Sequence, residues 1–104
     1  VIEHGSIKAW KRHQEMQLNL IVPIGEVRFV LFDDRGKTEN EKFQEVILSR
    51  QNYCRLTVPP MIWLGFQGVA IEDSILLNIA DIEHSPKEVD RKSINKISFE
   101  WRVN

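Results

Sequence analysis

The chain predicts an all-β fold, a sandwich or barrel of roughly eight short strands with little helix. Three observations carry this. Apolar and polar residues alternate with period two in most of its segments. Gly, Pro, Asn and Asp punctuate those segments at short intervals. The pair Pro59-Pro60 forces a corner between two strand-forming stretches. The 104 residues suit one domain, 1–104, with one core.

The first element follows Gly5. In Ser6-Ile7-Lys8-Ala9-Trp10, Ile7 and Ala9 alternate with Ser6, Lys8 and Trp10. Lys11-Arg12-His13-Gln14-Glu15 is a polar cluster, either a solvated turn or a set of side chains aimed into a cavity. Residues 18–22 are apolar apart from Asn19 and lead through the turn Pro23-Ile24-Gly25 into a strand at 26–32, a hairpin pattern. Val27, Phe29 and Leu31 share one face of that strand; Glu26, Arg28, Val30 and Phe32 share the other. The charged stretch 33–42 reads as an exposed connection. A strand at 43–48, a polar turn at Ser49-Arg50-Gln51-Asn52 and a strand at 53–58 follow. Cys54 alternates with Leu56 and Val58, which predicts a buried small hydrophobe rather than a reactive thiol.

At the corner neither Pro59 nor Pro60 donates to a sheet ladder, and each holds φ at roughly −65°. The chain therefore turns and reopens a strand at Trp63-Leu64-Gly65-Phe66, forming a lip suited to bordering a pocket. That strand runs to residue 69, and a turn at Glu72-Asp73 precedes an apolar strand at 74–80. Segment 81–92 changes character. Ser85, Pro86 and Glu88 fit an N-cap, a first helical proline and a first-turn acid, predicting a short helix or polar loop. Residues 97–101 alternate again and predict a terminal strand.

Composition excludes several classes. The net charge of −1 gives no global field toward nucleic acid or an anionic membrane. The apolar runs 61–66 and 74–80 are too short to span a bilayer, so neither a membrane nor nucleic acid is an expected partner. No basic stretch followed by an apolar one opens the chain, and the single Cys54 suits a reducing compartment; the expected location is cytoplasmic. The first residue is Val1 rather than Met, which fits a trimmed start. No G-x-G-x-x-G, P-loop, C-x-x-C or G-x-S-x-G motif occurs.

Several stretches resemble those of the dTDP-4-dehydrorhamnose 3,5-epimerases, which are RmlC-like cupins. Gly5-Ser6-Ile7-Lys8-Ala9-Trp10 is similar to their G-x-[IL]-[RK]-[GA]-[LW]-H. Pro23-Ile24-Gly25-Glu26-Val27 followed by Asp33-Asp34-Arg35 is similar to their V-x-G-x-[VI] and D-x-R. Val58-Pro59-Pro60-Met61-Ile62-Trp63-Leu64-Gly65-Phe66 is similar to [IV]-P-P-G-[FV]-x-H-G-F, and Phe99-Glu100-Trp101 to the closing I-[DE]-W. The resemblance runs in order from Gly5 to Trp101 and implies the cupin core without those enzymes' usual N-terminal segment.

The resemblance implies a cupin jelly-roll β-barrel, a homodimer and a nucleotide-sugar ligand in the barrel mouth. It also implies proton removal and return at C3 and C5 of a 4-keto sugar, with a His held by an Asp as base and a Tyr as acid. Placed on this sequence, the base falls on Lys11, the second His on Leu64, the Tyr on Leu77 and the Gly after the prolines on Met61. The orienting Asp falls within Ser93-Ile94-Asn95. The family's acid–base set is therefore replaced. Of the H-x-H, Glu and distant His of metal-binding cupins only His13 remains, while His4 and His84 read as surface residues. The sequence calls for no metal and no other cofactor.

What the resemblance leaves is a polar set suited to an anion. Lys8 falls at a phosphate-contacting position, Lys11, Arg12 and His13 are adjacent, and Arg28 lies on a strand expected to line the same barrel. Trp10 and Trp63 are placed to stack on a base or sugar. The candidate ligand-binding residues are Lys8, Trp10, Lys11, His13, Arg28 and Trp63, and Lys11 is the candidate catalytic residue. The alternative assigns them to rim charges and core tryptophans. Three functions are compatible: a non-catalytic binder of sugar nucleotides, an epimerase or isomerase with altered chemistry using Lys11, and a structural or dimerisation module whose barrel is plugged by Met61, Trp63, Leu64 and Leu77.

Overall fold

The computed structural model describes residues 1–35, 42–79 and 88–101. In chain order the strands are β1 (Ile7–His13), β2 (Leu18–Ile24), β3 (Glu26–Asp33), β4 (Lys42–Ser49), β5 (Leu56–Val58), β6 (Trp63–Gly68), β7 (Ile75–Asn78) and β8 (Val89–Arg91). They form two antiparallel sheets, one ordered β4-β3-β6-β1-β8 and the other β5-β2-β7. The architecture is the expected cupin jelly roll, but the sheets do not close into a barrel. The edge strands β5 and β8 are three residues each, and among the described residues no ladder joins one sheet's edge to the other's. Among the described residues helix is confined to a 3₁₀ turn at Ile94–Lys96 and to Glu88, which has 3₁₀ conformation just before β8.

Alternation dictates two layers of core. Leu18, Leu20 and Val22 of β2 meet Val27 and Phe29 of β3, Leu48 of β4 and Leu64 of β6 between the sheets. The opposite face of the large sheet carries Val30, Phe32 and Trp63, which pack with Trp10, Ile97, Phe99 and Trp101. Strand β3 is thus buried on both faces from Val27 to Val30.

Four expectations change. Lys11, Arg12 and His13 are not a turn; they continue β1 by pairing with Arg91, Asp90 and Val89. Those partners form β8, a strand where a helix or polar loop was expected; Ser85, Pro86 and His84 lie outside the described residues. Residues 97–101 form no strand. Their period-two pattern is satisfied by packing instead, with Trp101 5.6 Å from Trp10 and Phe99 5.0 Å from Trp101 between ring centroids. The expected strand at 53–58 shortens to Leu56–Val58, so Cys54 lies outside it and is exposed rather than buried.

The β2–β3 turn requires its glycine. Gly25 has φ of 90°, and a Cβ there would collide with the Ser74 side chain. Ser74 is fully buried, and its Oγ accepts from the Glu26 N–H at 3.0 Å. Gly25→Ala is expected to destabilise the protein by about 3 kcal/mol, combining left-handed strain with the clash. Urea unfolding checks this; a shift under about 1 kcal/mol would mean the turn relaxes freely.

Candidate functional site

The site begins with an irregularity in β1. Lys8 pairs with Phe66 and Lys11 with Leu64, so three steps on β1 oppose two on β6. This bulge at Ala9-Trp10 inserts one extra residue. Strict alternation would put Lys8 and Lys11 on opposite faces; the bulge returns both to the face between the sheets, and His13 follows two residues on. They meet Leu64 and Phe66 of β6, Leu18 and Leu20 of β2, Leu76 and Asn78 of β7, and Arg91 of β8 around a cavity of about 610 Å³.

The cavity has a charged rim and an apolar floor. Lys8, Lys11, Arg91 and Lys92 are exposed at its wall, and none of its described lining residues is acidic. Among the described residues Lys8, Lys11 and Arg91 form no ion pair. In a chain of net charge −1 this is a local concentration of positive charge, suited to drawing in an anion. Leu18, Leu20, Leu64, Phe66 and Leu76 supply an apolar surface.

At one end of this wall stands a buried pair. The His13 Nδ1–H donates to Glu88 Oε2 at 2.8 Å, and the two residues are 9% and 6% exposed. Glu88 Oε1 also accepts from the Glu15 and Met16 N–H groups, at 2.9 and 2.6 Å. Burial pushes the Glu88 carboxyl up. The Met16 N–H, the His13 ring and the Glu15 N–H outweigh it and hold the group at about 2, so it is ionised at neutral pH. With Nδ1 committed to Glu88, Nε2 is the nitrogen left for a proton transfer.

The other candidates divide. Trp10 borders the cavity, but its indole is buried and donates through Nε1 to the Ile94 carbonyl at 3.3 Å, so it is largely a core residue. Arg28 and Trp63 lie on the outer face and do not border it, because each is out of phase with its strand's inward residues. Arg28 donates to Gln67 Oε1 at 2.8 Å, and Trp63 Nε1 donates to Asp34 Oδ2 at 2.9 Å. His4 is exposed and its Nδ1 lies 2.9 Å from the Ala70 carbonyl.

The plugged barrel does not occur. Of its four proposed residues only Leu64 borders the cavity. Leu77 is 47% exposed, while its neighbours Leu76 and Asn78 turn inward. Met61 sits on the lip with φ of 71°, the left-handed region that a glycine adopts without strain. Met61→Gly is expected to raise stability by up to about 1 kcal/mol in urea unfolding; a loss of stability would show that Met61's own packing outweighs the strain.

Sequence reasoning missed Glu88, reading it as a first-turn acid, and named His13 as a ligand-binding candidate without a carboxylate partner. The available signal was the continuation of β1's alternation from Lys11 to His13.

Comparison with known proteins agrees with this fold. No protein-family profile matches the chain. The probable low-salt glycan biosynthesis epimerase of Haloferax volcanii is 25% identical over 92 residues, covering 86% of this chain and 59% of that protein. A dTDP sugar isomerase from Desulfovibrio desulfuricans is 34% identical, with a TM-score of 0.88 over 96% of this chain and 66% of its own. The dTDP-4-dehydrorhamnose 3,5-epimerase of Sulfolobus tokodaii is 25% identical, with a TM-score of 0.78 over 97% of this chain and 58% of its own. The chain thus spans about three fifths to two thirds of these relatives' length.

Two facing antiparallel sheets around an open, cation-rimmed cavity define an RmlC-like cupin. Within that class the chain is a divergent relative of the dTDP-4-dehydrorhamnose 3,5-epimerases and dTDP sugar isomerases.

Proposed function

We propose that this protein is an epimerase or isomerase of nucleotide sugars. Its lysine and arginine rim holds the diphosphate, and His13 moves a proton at a carbon beside the sugar carbonyl. The observation that carries this is the His13–Glu88 pair at the wall of a cavity of about 610 Å³ rimmed by Lys8, Lys11 and Arg91. The Desulfovibrio and Sulfolobus relatives support the substrate class. The positions the resemblance assigns to the base and second His hold Lys11 and Leu64, but a His–carboxylate pair stands two residues beyond Lys11.

In this mechanism the ionised Glu88 fixes the imidazole with its Nδ1 proton toward the carboxylate. Nε2 takes a proton from the carbon next to the carbonyl and returns it to the neighbouring carbon of the enediol, which moves the carbonyl along the ring; inversion at the same carbon needs the proton delivered to the opposite face by a second group. Lys11, on the same face, opposes the charge that develops on the carbonyl oxygen. The reading also places the protein in the cytoplasm as a single-domain homodimer. Among the described residues no helix is long and apolar enough to cross a membrane. A monomeric mass by light scattering at high protein concentration would refute the dimer.

The test has two arms. Thermal shift with dTDP, dTDP-glucose and dTDP-rhamnose should show saturable stabilisation of about 2.7 kcal/mol at a hundredfold excess over Kd, several degrees for a domain of this size. Incubation of a dTDP-4-keto-6-deoxy sugar in heavy water should bring deuterium into the ring. His13→Ala should lose the exchange while keeping the thermal shift. Absence of any shift at millimolar ligand would overturn the proposal, as would exchange unaffected by His13→Ala.

A further inference from the structure

We propose that Arg12 and Asp90 are positioning residues, a clasp on the outer face of β1 and β8 that holds Arg91 at the cavity on the inner face and Glu88 against His13 behind the cavity wall. The inference rests on the reading of that cavity as an anion site. Strand β8 has three residues and lies at the sheet's edge. Yet the segment 88–91 carries a rim cation, Arg91, at one end and the partner of His13, Glu88, at the other. Backbone bonds between Trp10 and Lys92 and between Gln14 and Glu88 set the pairing at the two ends. Alternation turns the middle residue, Asp90, away from the cavity, directly opposite Arg12.

There Asp90 Oδ2 accepts from Arg12 Nε at 3.0 Å and faces its second guanidinium nitrogen at 2.9 Å, while Gln14 donates to Oδ1 at 3.0 Å. The Arg12 guanidinium lies 4.7 Å from the centre of the Trp63 ring, and Lys92 Nζ stands 4.7 Å from the same ring. Asp34 closes the set, accepting from Trp63 Nε1 at 2.9 Å and facing Arg12 at 3.5 Å and Lys92 at 4.0 Å. A lone exposed ion pair contributes little. This one differs: Arg12 and Asp90 are 21% and 30% exposed, and both are tied into a network with a buried indole. The Arg12 hydrogen bond, followed by that of Gln14, holds the Asp90 carboxyl below its ordinary range. A β1 side chain that never reaches the ligand thus fixes the segment 88–91, which carries the rim cation Arg91 and the partner of His13.

The test uses Arg12→Gln, Asp90→Asn, Arg91→Gln and the double variant Arg12→Gln/Arg91→Gln, with dTDP as probe. Arg12→Gln and Asp90→Asn should each weaken dTDP binding about tenfold, and Arg12→Gln should cost little more in the Arg91→Gln background, because it acts through that residue. In ligand-free protein, amide exchange at Glu15 and Met16 should quicken about tenfold in Arg12→Gln, while β3–β4 amides keep their protection. Additive penalties in the double variant, or unchanged protection at Glu15 and Met16, would overturn the clasp. If the parent protein binds no dTDP, the cavity reading fails and the exchange measurement alone decides whether the clasp holds β8.

Discussion

Glu88→Ala is expected to lower stability by on the order of 3 kcal/mol, because it strips partners from three groups at once. The Glu15 and Met16 N–H groups and the His13 ring all bond this one carboxylate. For a domain of this size that is a fall in melting temperature of more than about 10 °C. Acid dependence belongs to the same group. The folded-state carboxyl sits at about 2, below the ordinary 4.5, so its contribution is complete above about pH 4.5 and is lost as pH falls toward 2. Glu88→Gln, neutral at every pH and of nearly the same shape, should be less stable than the parent at pH 7 and less sensitive to acid below pH 4.5. Urea unfolding between pH 2 and 7 checks both; parallel profiles for parent and variant would show that Glu88 is not held ionised in the fold.

Charge reversal at the rim, Lys11→Glu with Arg91→Glu, is expected to weaken dTDP binding by more than about a hundredfold, on the order of 3 kcal/mol. The two cations face one another across β1 and β8, and both border the cavity. The residues are exposed, so the fold should stand and the melting temperature without ligand should move little. In the parent protein, affinity should fall as salt rises, since the rim is open to screening. Calorimetric titration with dTDP at two ionic strengths reads both effects. Full affinity in the double variant would remove the rim from the binding site.

The outline of the fold was legible because period-two alternation and turn residues are local properties. Val27, Phe29 and Leu31 announced β3's inner face, and Gly25 announced the turn that needs its positive φ. Long-range partners were not legible. The polar stretch Lys11-Arg12-His13 becomes strand only because Val89, Asp90 and Arg91, more than seventy positions away in sequence, pair with it. Residues 97–101 alternate as a strand would, yet they lie on an aromatic cluster without a ladder.

The same division applies to the site. By itself the sequence determined an all-β chain of ordinary charge, the likeness to cupin epimerases, and Lys8, Lys11 and His13 as candidates. Tertiary structure alone decided which of these meet. One inserted residue at Ala9-Trp10 reverses the phase of β1 and sends Lys8, Lys11 and His13 to the same face. Sheet packing sends Arg28 and Trp63 to the other. Side-chain direction in a strand depends on register, and register depends on partners that composition and spacing do not name.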